Sequence, residues 1–152
     1  MKFQNEFNMI NTNEKRALWY ASHKGSIKII RKLIDSGAKY NYSKYSSSPL
    51  AIACKFGKLN IVKYLLKKKD INLNYIYFDR YDYDFSFALK EAVRYKYDNI
   101  ISELLKHKVK LHFKKCKLSI FEICAIRKYT KIFDMLMEKF TEEDNINNVL
   151  SN

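Results

Sequence analysis

Turn-forming residues are almost missing from this chain: three glycines and one proline in 152 residues. An all-β barrel or sandwich made of many tight turns needs more of both, and a glycine-rich phosphate loop has nothing to be built from. No apolar run approaches the roughly 20 residues that cross a bilayer as a helix. The opening stretch MKFQNEFNMINTNEK lacks the apolar centre of a secretory signal. These absences point to a soluble protein inside the cell, in the cytoplasm, with no membrane attachment. Cysteine is scarce and odd in number, at 54, 116 and 124, so there is no disulfide framework. Cys116 and Cys124 stand eight apart, and His107 and His112 lack the spacing of a closed finger, which removes a zinc site. Cys54 and Cys124 fall where small apolar residues pack and are read as reduced, buried thiols.

Arginine is scarce too, at 5 against 24 lysines in a net charge of +13. So basic a chain invites a polyanionic partner. Yet arginine is the usual residue for bidentate phosphate and guanine contacts. Lysine, asparagine, isoleucine and tyrosine are all abundant, as an AT-rich coding sequence would make them, so the charge has two explanations. What the chain does hold is apolar residues, 47% of the total, in a length sufficient for one domain with a sizeable core. That fraction excludes wholesale disorder.

Those apolar residues repeat. Ile29-Ile30-x-x-Leu33-Ile34 is followed by Ile61-Val62-x-x-Leu65-Leu66, Ile100-Ile101-x-x-Leu104-Leu105 and Ile132-Phe133-x-x-Leu136-Met137, at spacings of 32, 39 and 32 residues. Eight residues before each run stands a small residue (Ala21, Ala53, Ala92, Cys124), and three before that an apolar one (Leu18, Leu50, Leu89, Phe121). Each copy reads as two antiparallel helices. In the second copy Ser48 is a suitable N-cap, Pro49 sits at the first helical position, and Gly57 stops the helix at a residue with positive φ. Leu59, Ile61, Val62, Leu65 and Leu66 then form the apolar face of the second helix, leaving Lys63, Lys67 and Lys68 to water. Gly25 matches Gly57, but Lys96 and Lys128 take that place in copies three and four, so those turns are expected to be strained or differently shaped. Ser119 and Glu122 make a capping box. Thr141 to Asp144 is a similar signal, expected to open a short terminal segment.

The stretch SPLAIACKFGKLNIVKYLLKKKDINLN resembles an ankyrin repeat, as does RALWYASHKGSIKIIRKLIDSGAKYN through Gly25, Ile29-Ile30, Gly37-Ala38 and Asn41. Copies three and four keep the apolar skeleton. The signature histidine is replaced by Trp19, Ala51, Lys90 and Glu122, so its usual cross-repeat hydrogen bonds are not expected. The resemblance implies an all-α solenoid of four helix pairs in a single domain over 1–152. Its repeats are taken as about 12–42, 43–74, 83–112 and 115–140, with an inserted finger at 75–82 and a C-terminal cap at 141–152. Phe3, Phe7 and Ile10 are candidates for a leading cap. An array of this kind gains stability by stacking neighbours.

The resemblance also implies where a partner is gripped: at finger tips and at the two residues before each inter-helix turn. Those positions are Thr12, Asn13, Lys15, His23 and Lys24 in the first copy, and Lys44, Tyr45, Ser47, Lys55 and Phe56 in the second. They are Tyr83, Asp84, Arg94 and Tyr95 in the third, and Lys115, Cys116, Ile126 and Arg127 in the fourth. The partner contacts selected are Lys44, Tyr45, Lys55, Phe56, Tyr83, Arg94, Tyr95 and Arg127, with Tyr45, Phe56, Tyr83 and Tyr95 as hot spots rimmed by lysines facing an acidic protein. Phe56 has an equal alternative, folding back onto the neighbouring repeat. The aromatics of 74–85 (Tyr75, Tyr77, Phe78, Tyr81, Tyr83, Phe85) either recognise a partner or pack to hold the finger. Asp79, Asp82 and Asp84 do not make a calcium loop, since no glycine marks the turn and Lys90 stands at the twelfth position.

A second class of partner is RNA or a ribonucleoprotein such as a ribosome, through phosphate contacts of Lys106, Lys108, Lys110, Lys114, Lys115 and Lys117. The competing account of these lysines is a solvated extended edge alternating with Val109, Leu111 and Phe113. A third reading is a viral or parasite effector acting on host proteins. No catalytic residues are assigned. His23, His107 and His112 are not placed by any motif beside a nucleophile and a carboxylate. The chain is read as non-catalytic, without cofactor, metal or small-molecule substrate.

Overall fold

The computed structural model describes residues 16–41, 47–79, 84–111, 114 and 116–150, with backbone alone for 78–79, 84–85 and 143–150. Helix α1 covers residues 16–24 and is followed by α2 (Ile27–Asp35), α3 (Pro49–Lys55) and α4 (Leu59–Leu66). A two-stranded hairpin, β1 (Tyr77–Asp79) with β2 (Asp84–Ser86), precedes α5 (Ala88–Arg94) and α6 (Asp98–Leu105). The strands pair antiparallel, Tyr77 opposite Ser86 and Asp79 opposite Asp84. Helices α7 (Ile120–Arg127) and α8 (Thr130–Leu150) complete the described chain.

Local signals set the helix starts as the sequence indicates. Ser48 Oγ accepts from the Ala51 amide at 3.2 Å with Pro49 next to it, and Ser119 with Glu122 forms a complete capping box. Apart from the 21-residue α8, the helices are only about two turns long, too short to persist alone in water, so packing must hold them. It does so in two layers. The first helices of the pairs contact one another along α3, α5 and α7, and the second helices along α4, α6 and α8. Between the layers lies one continuous core that includes Leu18, Ile30, Leu50, Ile61, Leu65, Leu89, Ile100, Leu104, Ile120 and Leu136, all buried. The molecule is an all-α solenoid with one short β finger.

Two contacts repeat from pair to pair. The left-handed residue between the helices (Gly25, Gly57, Lys96) is covered by the residue just after the equivalent turn of the next pair: the side chains of Lys58, Tyr97 and Tyr129. A Cβ on Gly57 would lie 2.7 Å from the Tyr97 ring, and φ there is 69°. Lys96 and Lys128 keep the same left-handed turn at φ 59° and 57°. The glycine-free turns are therefore strained, not reshaped. Second, an asparagine ladder ties the loops: Asn41 reaches Asp70 O and the Asn72 amide, and Asn74 reaches Lys108 O (3.2 Å) and the Lys110 amide (2.7 Å).

One boundary differs from expectation. Helix α8 runs unbroken through 141. Thr141 does not cap a new segment; its hydroxyl donates back to the Met137 and Glu138 carbonyls at 3.0 and 2.8 Å. Phe3, Phe7 and Ile10 lie outside the described residues.

Candidate interaction surface

The inner layer (α1, α3, α5, α7) carries the positions expected to grip a partner, yet its two central helices are covered. Residues 49–54 of α3 are all buried, and so is every residue of α5, including Lys90 and Glu91. The charges on α5 form a cluster beneath the hairpin. Glu91 Oε1 accepts from Tyr77 Oη at 2.8 Å and from Ser86 Oγ, and Arg94 Nη1 stands 3.8 Å away. Cys54 borders the same region, and burial, with Glu91 nearby, pushes its thiol pKa far up. Burial likewise raises Cys124 to about 11, so both are poor nucleophiles at neutral pH.

This packing corrects part of the expected surface. Arg94, chosen as a contact, is only 9% exposed because its guanidinium turns inward beside Glu91. Phe56 is not an open anchor. Its ring stacks edge-on against His23 at 4.2 Å and Trp19 at 6.4 Å, closing the second pair onto the first. Lys55 is half-buried and has a partner of its own. Lys44, Tyr45 and Tyr83 lie outside the described residues. Of the finger aromatics, Tyr77 is buried through Glu91 and Tyr75 is half-buried.

Large apolar side chains are exposed instead at Tyr20 of α1 (54%) and at the C-terminal tips of α5 and α7. Tyr95 is 43% exposed, and Ile126 reaches 67%, the most open of the large exposed apolar residues. Arg127 joins them: its Nη1 donates to Arg94 O at 2.6 Å, drawing the tip of α7 against the turn that carries Tyr95. Lys96 and Lys128 are exposed on the two turns. Ile126 was among the positions the repeat pattern offered but was not selected. Among the described residues no further helix pair stands beyond α7–α8 to cover it.

The basic run takes the alternating form expected of a half-buried edge. Val109 and Leu111 are buried while Lys106, Lys108, Lys110, Lys114 and Lys117 face water; Lys115 is outside the described residues. Lys106 is paired with Glu103 at 2.9 Å, and that hydrogen bond holds the Glu103 carboxyl below its ordinary range. Among the described residues no group of three or more His, Cys, Asp or Glu could hold a metal, and no helix is long and apolar enough to cross a membrane.

Short antiparallel helix pairs, stacked in two layers and joined through left-handed turns, define a helical-repeat scaffold. The family model for ankyrin repeats (3 copies) matches residues 1–76, half the chain, and the chain belongs to that family. Pairs α5–α6 and α7–α8 extend the same stack beyond the matched residues. A search of curated proteins found no match. Ankyrin repeats are generally protein–protein interaction modules, and the family is typically non-catalytic.

Proposed function

We propose that this chain is a non-catalytic module binding an acidic protein surface through the open end of its inner layer, with Tyr95 and Ile126 as apolar anchors and Arg127, Lys96 and Lys128 around them. The observation that carries this reading is exposure: α3 and α5 are covered by the chain itself, whereas Tyr95 and Ile126 stand 43% and 67% exposed beside a cationic rim. Large apolar side chains ringed by charge are the usual make-up of a recognition hot spot, and a net charge of +13 steers an acidic partner toward it. The test is photo-crosslinking from position 126 in native extract, with and without RNase, in wild-type and Tyr95→Ala/Arg127→Ala backgrounds. An RNase-resistant protein adduct lost in the double variant supports the reading; an adduct that survives it overturns the placement.

The exposed lysines of 106–117 support a second reading, contact with an RNA backbone. Binding of a single-stranded oligonucleotide would then weaken steeply with salt, with a log–log slope of about −0.7 per phosphate contact. A flat salt response removes this reading. An effector role on host proteins would use the same surface as the first, and the identity of the captured protein would decide it.

A further inference from the structure

Each second helix carries two apolar pairs, and their exposure depends on position in the stack. In the middle of the array both members of the leading pair are buried: Ile61 with Val62, and Ile100 with Ile101. At the N-terminal end the first member opens. Ile29 is 49% exposed while Ile30 is fully buried, and in the following pair Leu33 and Ile34 are both partly buried. At the C-terminal end the pattern inverts. Ile132 and Leu136 are buried, while Phe133 is partly buried and Met137 and Phe140 are 37% and 41% exposed. The first member thus faces the preceding pair and the second member the following one. The two ends of the described stack present the two complementary halves of one repeat interface.

The two halves also differ in charge. Helices α1 and α2, residues 16–35, hold five basic residues (Arg16, Lys24, Lys28, Arg31, Lys32) against Asp35 alone. Residues 134–152 hold five acidic residues (Asp134, Glu138, Glu142, Glu143, Asp144) against Lys139 alone, an inversion in a chain of net charge +13. Lys28 and Lys32 flank Ile29 at helical spacing, and Asp134 lies beside Phe133 and Met137. Within the molecule Lys131, the counterpart of Lys28, pairs with Asp98 of the preceding pair at 3.1 Å; at the C-terminal end Thr130 stands at the Asp98 position, so Lys28 would have to reach Asp134 instead.

We infer that a second copy of this chain docks head to tail, with the Phe133–Met137–Phe140 end of one copy seated on the Ile29–Leu33 end of the next, so that the solenoid continues across the junction. Such an interface is heterologous and leaves one half free at each terminus, so it builds open chains instead of a closed dimer. It is a different surface from the Tyr95–Ile126 anchors and stands without them.

Sedimentation velocity on the full chain tests this. Wild type is expected to pass from monomer to dimer and larger species as concentration rises through about 100 µM, a strength suited to a small interface. The midpoint should rise at least threefold between low salt and about 0.5 M salt, where charges across the junction are screened. Ile29→Asn closes one half and Met137→Asn the other, so each variant alone should stay monomeric. Mixed one to one, they should form a dimer and nothing larger, because one intact half remains on each. Lys32→Gln and Asp134→Asn, which remove the charges without creating a new complementary pair, form a second such pair should either apolar-site variant lose its helical signal. Wild type that stays monomeric at about 300 µM overturns the inference. So does a mixture that stays monomeric, or one that grows beyond a dimer.

Discussion

Lys96 and Lys128 occupy left-handed backbone at φ 59° and 57°, where the first two pairs use glycine. A side chain there costs about 1–2 kcal/mol, from which the extra chain entropy of an unfolded glycine removes part. Lys128→Gly should therefore stabilise by about 0.5–1 kcal/mol in urea unfolding. Lys96→Gly should come out near zero, since it also loses the contact of its ammonium with the Tyr129 ring at 5.1 Å, worth about 0.5–1 kcal/mol. A gain at both sites would show that the Tyr129 contact contributes nothing. Glu91 makes a sharper case. Its carboxylate is wholly buried, and removing it leaves Arg94, Tyr77 and Ser86 facing a void. Glu91→Ala should cost about 3–5 kcal/mol, read as a lowered urea midpoint at unchanged slope; a loss under about 1 kcal/mol would mean the cluster is effectively solvated. Tyr40 gives a pH test. The hydrogen bond it donates to Asp70, with burial adding, raises its pKa from 10.0 to about 12. The neutral form is the one the folded state favours, so this contribution is present below pH 10 and is lost as pH rises toward about 12. Ultraviolet titration of the native protein should show a late-ionising tyrosine that Asp70→Asn returns to the ordinary range.

The helices before α8 have about two turns each and little stability of their own, so inter-pair ties matter. Asn74 fixes both the carbonyl of Lys108 and the amide of Lys110, holding the loop after α6 beside the loop after α4. Asn74→Ala should cost about 1–2 kcal/mol for two lost bonds and should speed amide exchange at Lys110 before the helices open; unchanged exchange there would show the ladder to be dispensable. Much of this level was legible in the sequence. Ser48-Pro49, Ser119-x-x-Glu122, Gly57 and the Ile-Ile-x-x-Leu-Leu runs each act through local geometry, which the chain carries in its own order. The alternation of Lys108, Val109, Lys110 and Leu111 was legible for the same reason. What escaped depended on non-local covering. Arg94 reads as a partner contact and nothing local marks Lys90 or Glu91, yet all three are buried, with the hairpin lying against α5. Phe56 reads equally as anchor or core until His23 and Trp19 come to meet it. Thr141 carries a start signal, yet start signals act only where the preceding helix has ended.

At the scale of the molecule, stacking determines both stability and surface. Each pair protects the next, so inner-layer positions are closed in the middle of the array and open at its end. That is why Ile126 offers itself where its counterparts in α3 and α5 do not. It also makes α5 to α8 as integral to the scaffold as α1 to α4, although the matched family residues stop at 76. Hydrogen exchange of the native chain, read by mass spectrometry, tests this most directly. Peptides spanning α5, α6, α7 and the start of α8 should be protected to the same order as those of α3 and α4. Leu104→Ala should lower protection in α4 and α8 together with α6. Protection that falls to coil-like values beyond residue 76 would contradict the account.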